Sequence, residues 1–503
     1  MLHRGSISRS SRRSSLAKAA LVAAALAASG LVACVSAPSS DPQAVLRAAE
    51  AAMGGDKLKS IAFAGSGTGA LFGQALQPGM AWPKLNYSNL ARIADYENGA
   101  LREDFALSRA EPSGGGGTPL MGQGEQRGTG LVMGGFAWNM AGPAPLPAPV
   151  AHDIRVHDLW TTPHGVLKAA AKNSPRVAVT QNTAGAKQTT LSFTMPGAFS
   201  ATAVLNAANL VERIESRHPH PVTGDTDVVT TFSDYRDHGG VKFPARIRQS
   251  KGGFEVLDLA VSSVTPNAPA NVTEVPALVR AFAERASTEK VAEGVWFVAG
   301  GSHNSVAVEM ADHLLLVESP LYDGRAAAVL AAVKALAPGK PIRYVVNSHH
   351  HFDHSGGLRS AVADGATLVT SAAAKPYFER VFANANSISP DLLARSGRKA
   401  TVLAVDGKLV MNDSSRSVEI HQMQGSIHAQ GFQIVYLPKE KLLIEADAFT
   451  PGAPNSPPPA VVNDNHANLV QNIERLGLNV ERILPLHGRV VPLAVLHTAI
   501  GRR

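Results

Sequence analysis

The chain has 503 residues, 45% of them hydrophobic and 17% charged, with a formal charge of +7, 18 histidines and one cysteine. That length exceeds what one hydrophobic core serves, so two domains are expected, and the composition excludes a disordered or fibrous chain. A single cysteine excludes an internal disulfide and a thiolate-bound metal cluster.

The positive charge is concentrated at the N-terminus. Residues 1–33 hold Arg4, Arg9, Arg12, Arg13 and Lys18 with no acidic residue, then the apolar run AALVAAALAASGLVA from Ala19 to Ala33. A basic start before a short run of small apolar residues is the pattern of an export signal, and the run is too short for a membrane span. Taking those five from the 47 basic residues leaves 42 against 40 acidic ones. The remainder is nearly neutral, so nucleic acid is not an expected partner.

LVAC, ending at Cys34, resembles the lipobox of bacterial lipoproteins. The resemblance implies lipidation of Cys34 and a membrane anchor in the periplasm, and Val35, where aspartate would favour the inner membrane, implies the outer one. The alternative is ordinary cleavage after Ala37. SRRSSLAK, Ser11 to Lys18, resembles a twin-arginine signal, although Ser15 stands where a large apolar residue is preferred. Two arginines in a basic start would read the same way.

Residues 34–58 read as a tether and a short helix, with Val45, Leu46, Ala49 and Ala52 at helical spacing before Gly54 and Gly55. Residues 59–280 read as a mostly antiparallel β domain, its strands separated by Gly, Pro and Asn turns, with one helix predicted over Asp158–Asn173. SGGGG at Ser113 and GPAPLPAP at Gly142 read as loops. TTFSDYRDHGGVKFPARI, Thr230 to Ile247, loosely resembles the sheet of the bacterial lipoprotein-carrier superfamily, which implies a sheet partly wrapped around a helix.

A Pro- and Ala-rich seam precedes residues 281–503, where strands and helices alternate: HLLLVES, RAAAVLAAVKAL, IRYVVNS, ATLVTS, FQIVYLPKEKLLIEAD and NLVQNIERLGL. That is an α/β domain, with function expected at strand ends.

VVNSHHHFDHSGG, Val345 to Gly357, puts four histidines and an aspartate directly after a strand. In an extended segment His349, His351 and Asp353 project to one side while His350 points away, and a turn at Gly356 and Gly357 brings His354 to the same centre. Imidazole and carboxylate suit zinc or a similar first-row metal.

HHHFDHSGG contains the His-x-His-x-Asp-His signature, and from about Val291 to the C-terminus the chain resembles the metallo-β-lactamase superfamily. The resemblance implies an αββα sandwich holding two divalent metal ions, zinc being the expected metal. His349, His351 and His428 (in GSIHAQG) would hold the first ion; Asp353, His354 and His487 (in ILPLHG) would hold the second; Asp447 (in LLIEADAF) would bridge them. It further implies a metal-bridging hydroxide that attacks a small-molecule ester, lactone, amide or related carbonyl substrate, with Asp353 orienting the nucleophile or carrying its proton. Where many members have Asp-Thr-Gly, this chain has Glu318-Ser319-Pro320, and Glu318 is the candidate for orienting a ligand histidine.

His303 and Asn304 are candidate substrate contacts, the alternative being a turn-stabilising Asn beside an exposed His. Asn465 and His466 are candidates for lining the pocket, with Asn468 and its neighbours as helix caps instead. His421 and Tyr436 read as structural. Histidine at 351, where di-iron oxygen reductases would have glutamate, argues against that chemistry, and Asp447 counts against an antibiotic-hydrolysing β-lactamase, which remains the alternative enzyme reading. The alternative outside catalysis is a lipoprotein whose N-terminal domain binds a lipid or other apolar ligand.

Overall fold

The computed structural model describes residues 41–110, 124–181, 185–269, 272–454 and 456–502. The segment read as an export signal, Cys34 and the glycine run after Ser113 lie outside the described residues.

The first helix, Pro42–Met53, begins where the Asp41 side chain accepts from the N–H groups of Gln43 and Ala44, and it ends at Gly54, whose φ of 68° is the left-handed conformation of a helix stop. Its face of Val45, Leu46, Ala49 and Met53 is buried. It is therefore part of the N-terminal core, where the sequence reading had a tether and short helix.

Thirteen strands between Ser60 and Pro266 form one antiparallel sheet. The first, Ser60–Ala70, lies between the second, Lys84–Asp95, and the last, Phe254–Pro266; the third to sixth follow outward from the second in chain order, and the twelfth back to the seventh follow outward from the last in reverse order. The single helix expected over Asp158–Asn173 is two, His152–Trp160 and Pro163–Lys172. Pro163 has no N–H to continue the first helix, and the Thr162 hydroxyl accepts from Gly165 N–H to start the second. The three helices pack on the sheet through Leu46, Leu159, Val166 and Leu167 against Phe63, Phe199, Phe243 and Leu259.

This core also buries His157, His164, His218 and His220. Burial lowers His164 from 6.5 to about 4 and His220 to about 3. Unfolded, these groups take up protons near 6.5, whereas the folded domain resists until about 4. Their contribution is complete above the unfolded value and is lost as pH falls through this window, at about 1.4 kcal/mol per unit for each histidine. The urea midpoint is expected to fall clearly between pH 7 and pH 4.5, and equal midpoints would contradict the assignment.

The C-terminal region is an αββα sandwich. A seven-stranded sheet runs from Ser287–Ala292 to Val402–Val405 and a six-stranded sheet from Lys408–Asn412 to Val491–Pro492. Val306, Leu315, Val317, Val346 and Val369 of the first meet Ile420, Ile434, Ile444 and Ile483 of the second in one buried cluster. Each such side chain contributes about 1.5–3 kcal/mol. Helices Asp323–Leu336, Leu358–Ala363 and Lys375–Ala383 cover the outer face of the first sheet, and Asp464–Leu476 and Leu493–Ala499 that of the second.

Candidate metal centre

Each candidate ligand follows a strand that the sandwich core fixes. His349 comes after Ile342–Val346, His428 after Ser417–Gln422, Asp447 after Leu442–Glu445 and His487 after Arg482–Pro485. The segment carrying the signature is extended only as far as His351 (φ −61°, ψ 149°); Phe352–Ser355 is one helical turn, so Asp353 and His354 reach the centre from a helix and not from an extended face. Gly356 permits this tight turn, because a Cβ there would stand 1.7 Å from the Leu321 carbonyl oxygen.

Two groups of possible metal ligands result, each with its donor atoms within 4.8 Å of one another: His349, His351, His428 and Asp447 in one, and His303, Asp353, His354 and His487 in the other. His349 Nε2 lies 2.9 Å from His351 Nδ1 and 3.1 Å from His428 Nε2, and His354 Nε2 lies 3.1 Å from His487 Nε2. Asp447 joins the groups, with Oδ2 2.9 Å from His428 Nε2 and Oδ1 3.0 and 2.8 Å from Nε2 of His354 and His487. Ring nitrogens converging on one another around a shared carboxylate are what a cation would satisfy, so this donor set fits divalent metal.

For His349, His351 and Asp447 the electrostatics agree. Burial, reinforced by neighbouring imidazoles, holds His349 and His351 well below the ordinary imidazole value, which leaves them neutral with free lone pairs. Burial alone would raise Asp447, but His354 and His428 bring it well below the carboxylate range. For His354 burial works downward and is overcome by Asp447 and Asp353, which raise it well above its usual value.

Outer hydrogen bonds orient most of these rings. His487 Nδ1 donates to Ser302 O at 3.1 Å, and His349 Nδ1 meets Ser348 Oγ at 2.9 Å. Glu318, wholly buried at a φ of 68°, accepts from Ser348 N–H at 2.5 Å through Oε1 and places Oε2 3.4 Å from His354 Nδ1. Asn304 ties down the loop that carries His487, its amide donating to Gly488 O at 2.9 Å and its N–H to Leu486 O at 2.8 Å.

Two placements correct the sequence reading. His303 is not an exposed turn residue: it is 7% exposed, with Nε2 3.2 Å from Asp353 Oδ2 and its ring 4.1 Å from that of His487. The cap of the last long helix is Asn463; Asn468 lies inside the helix and donates to Gln424 O. His466 joins neither ligand group and packs edge-on against Phe449 at 4.9 Å. Asn465 is buried at the start of that helix, His421 pairs with Glu419, and the Tyr436 hydroxyl donates to Asn479 O.

Sequence reasoning missed a contribution from the other domain. The segment LFGQALQPGMAWP, Leu71 to Pro83, leaves the first strand of the N-terminal sheet and lies against the centre. Gln74 Nε2 donates to Asp353 Oδ1 at 2.8 Å, and Ala75 O accepts from Nε2 of both His350 (2.8 Å) and His351 (2.9 Å). With Nε2–H so engaged, His351 turns Nδ1 inward, and His350 is held facing away. Gln430 N–H donates to Leu76 O at 2.7 Å, and Gly73, at φ 86°, lets the chain pass over the Phe352 ring. The only signal in sequence was a Gly/Pro-punctuated connection longer than a hairpin needs.

Gln74→Ala would free Asp353 Oδ1. It is expected to weaken metal retention by the Asp353 group about tenfold, the scale of an outer hydrogen bond to a ligand, with the melting temperature little changed. Competition against a chelator measures this, and an unaltered affinity would show that the amide does not position Asp353.

Residues 298–487 match the family model described as the metallo-beta-lactamase superfamily. Among solved structures, a metallo-beta-lactamase from Pontibacter korlensis is 16% identical with a TM-score of 0.32, covering 43% of this chain and 98% of that one. Rubredoxin oxygen:oxidoreductase from Desulfovibrio gigas is 18% identical with a TM-score of 0.35, covering 43% and 61%. The flavodiiron protein from Giardia intestinalis is 18% identical with a TM-score of 0.32, covering 43% and 58%. At these identities and TM-scores the likeness says nothing about the reaction. A search of the curated proteins found no match.

Proposed function

We infer that the metallo-β-lactamase-superfamily domain matched over residues 298–487 makes this protein an exported, metal-dependent hydrolase of small carbonyl substrates: esters, lactones, amides or their relatives. The observation that carries this reading is Asp447, whose two carboxylate oxygens face the two ligand groups at once. His349, His351 and His428 would hold one ion and Asp353, His354 and His487 the other, with Asp447 between them. Two divalent ions so held, zinc being the expected metal, would polarise a carbonyl and lower the pKa of water to about 7.

The chain's own part is orientation and proton handling. Among the candidate ligands Asp353 has the most exposed side chain, at 18%, whereas those of His349, His354, His428 and Asp447 are 2% exposed or less. A substrate would therefore arrive on the Asp353 side. With Oδ1 held by Gln74 and Oδ2 turned to His303 and His354, Asp353 is the carboxylate placed to accept a proton there. Ser302 O and Ala75 O keep His487 and His351 in their tautomers, and Glu318 Oε2 stands 3.4 Å from His354 Nδ1. No serine or cysteine nucleophile is required. Lipidation of Cys34 would place this activity at the outer membrane, and the mass of the mature N-terminus reports on it.

The deciding experiment is metal analysis joined to a panel of esters, lactones, amides and β-lactams. About two metal equivalents with turnover of at least one carbonyl class is expected. A folded protein that takes up no metal on reconstitution, or one fully loaded and inert towards the whole panel, would overturn the reading.

A further inference from the structure

One cavity walled by aromatic rings stands apart from the metal ligands. It encloses about 360 Å³ and lies between the two domains, on the far side of the Leu71–Pro83 segment. None of the residues of the two ligand groups lines it. Its wall is a cluster of half-buried rings: Phe72 stands 4.6 Å from Trp82 and 5.2 Å from Phe352, and Trp82 stands 5.3 Å from Phe254. Rings that pack edge to face on one another yet leave a void of this size offer flat apolar surface on one side only, the usual make-up of a small-molecule pocket.

Charge at the cavity is unevenly satisfied. Arg217 is paired with Asp227 at 2.7 Å. Asp225 is consumed by the Ser387 N–H and hydroxyl at 2.9 and 2.6 Å and by Ile388 N–H at 3.3 Å. Arg380 is different. Its guanidinium lies over the Tyr377 ring at 5.5 Å, beside Gly79, and no carboxylate stands within 4.0 Å of it among the described residues. A planar cation held against an aromatic face at the mouth of an apolar pocket is suited to a carboxylate, which it can meet with two parallel hydrogen bonds.

We propose that this interdomain cavity binds an aromatic carboxylate, its ring against Trp82, Phe254 and Phe352 and its carboxylate on Arg380. Phe72 and the backbone of Gly73 and Ala75 form the cavity wall, and the same turn carries Gln74 to Asp353 and Ala75 O to His351. A ligand here would rest on the back of the segment that holds those two side chains. The inference does not depend on the hydrolytic reading, since binding is measured with no substrate turned over.

The test is a titration of the full-length protein with 2-naphthoate, with neutral 2-naphthalenemethanol and with decanoate, followed by tryptophan fluorescence and by calorimetry. Saturable, one-to-one binding of 2-naphthoate is expected, tighter than that of either comparison compound. Arg380→Gln should weaken the naphthoate about tenfold, the size of a lost charge-assisted contact, and leave the alcohol unchanged. Trp82→Phe should remove the fluorescence response while the calorimetric signal persists. Arg380 is exposed, so its variant should fold normally; Phe254→Leu, which keeps an apolar wall, supplies a second variant that should weaken both aromatic compounds. Absence of saturable binding, decanoate bound as tightly as naphthoate, or an Arg380→Gln protein that binds naphthoate like the wild type would each overturn the proposal.

Discussion

Asp447→Ala is expected to leave a folded protein that retains less than one metal equivalent and has lost on the order of a thousandfold in turnover. The carboxylate is 2% exposed and touches His428 through one oxygen and His354 and His487 through the other. Removing it takes an anionic donor from both groups, and metal-derived charge stabilisation is worth several kcal/mol, which corresponds to the stated loss. Truncation of any other single ligand should spare the group it does not belong to, so His351→Ala should cost one equivalent and not both. Atomic emission on dialysed protein, with circular dichroism as the folding control, separates these outcomes. An Asp447→Ala protein holding as much metal as the wild type would remove the carboxylate from its bridging place.

Glu318 gives the second large effect, and its two oxygens allow two roles to be told apart. Oε1 accepts from Ser348 N–H, and Oε2 faces His354 Nδ1. Glu318→Gln keeps an acceptor for Ser348 but replaces the oxygen facing His354 with a donor. Metal affinity and turnover are expected to fall about 10- to 100-fold with stability close to the wild type. Glu318→Ala adds a buried, unsatisfied N–H at Ser348 and should also lower stability by about 1–3 kcal/mol. Chelator competition and urea denaturation on both variants check this. If Glu318→Gln binds metal normally, the carboxylate serves the backbone alone.

How much of this was legible in the sequence follows from how far apart the interacting groups lie along the chain. The clustered signature at His349 to His354 was readable from residue types a few positions apart, although Asp353 and His354 arrive on a helical turn and not on the extended face expected for them. His428, Asp447, His487 and Glu318 entered only through the family resemblance, because each stands alone at the end of its strand and no local spacing ties it to the signature; the sandwich is what carries those strand ends to one edge. Gln74 and Ala75 were not. They reach Asp353 and His351 across more than 270 positions, and nothing in a Gly/Pro-rich connection announces which surface it will lie on. His303 was misjudged because its burial depends on Asp353 and His487 arriving from elsewhere. The break at Thr161 and Thr162 was local and could have been read, since Pro163 stands at the start of the second helix with a threonine cap before it.

The hydrogen bonds from Ala75 and Gln74 also tie metal to the cohesion of the molecule. The N-terminal sheet donates no candidate ligand, yet its connecting segment holds His351 and Asp353 in the orientation that an ion requires. By linkage, an ion that favours that orientation must favour the docked arrangement of the two domains by the same free energy. Added metal should raise the unfolding temperature of the β domain as well as that of the sandwich and draw the two transitions together. Loading the ion would then be the step that locks the two halves to each other.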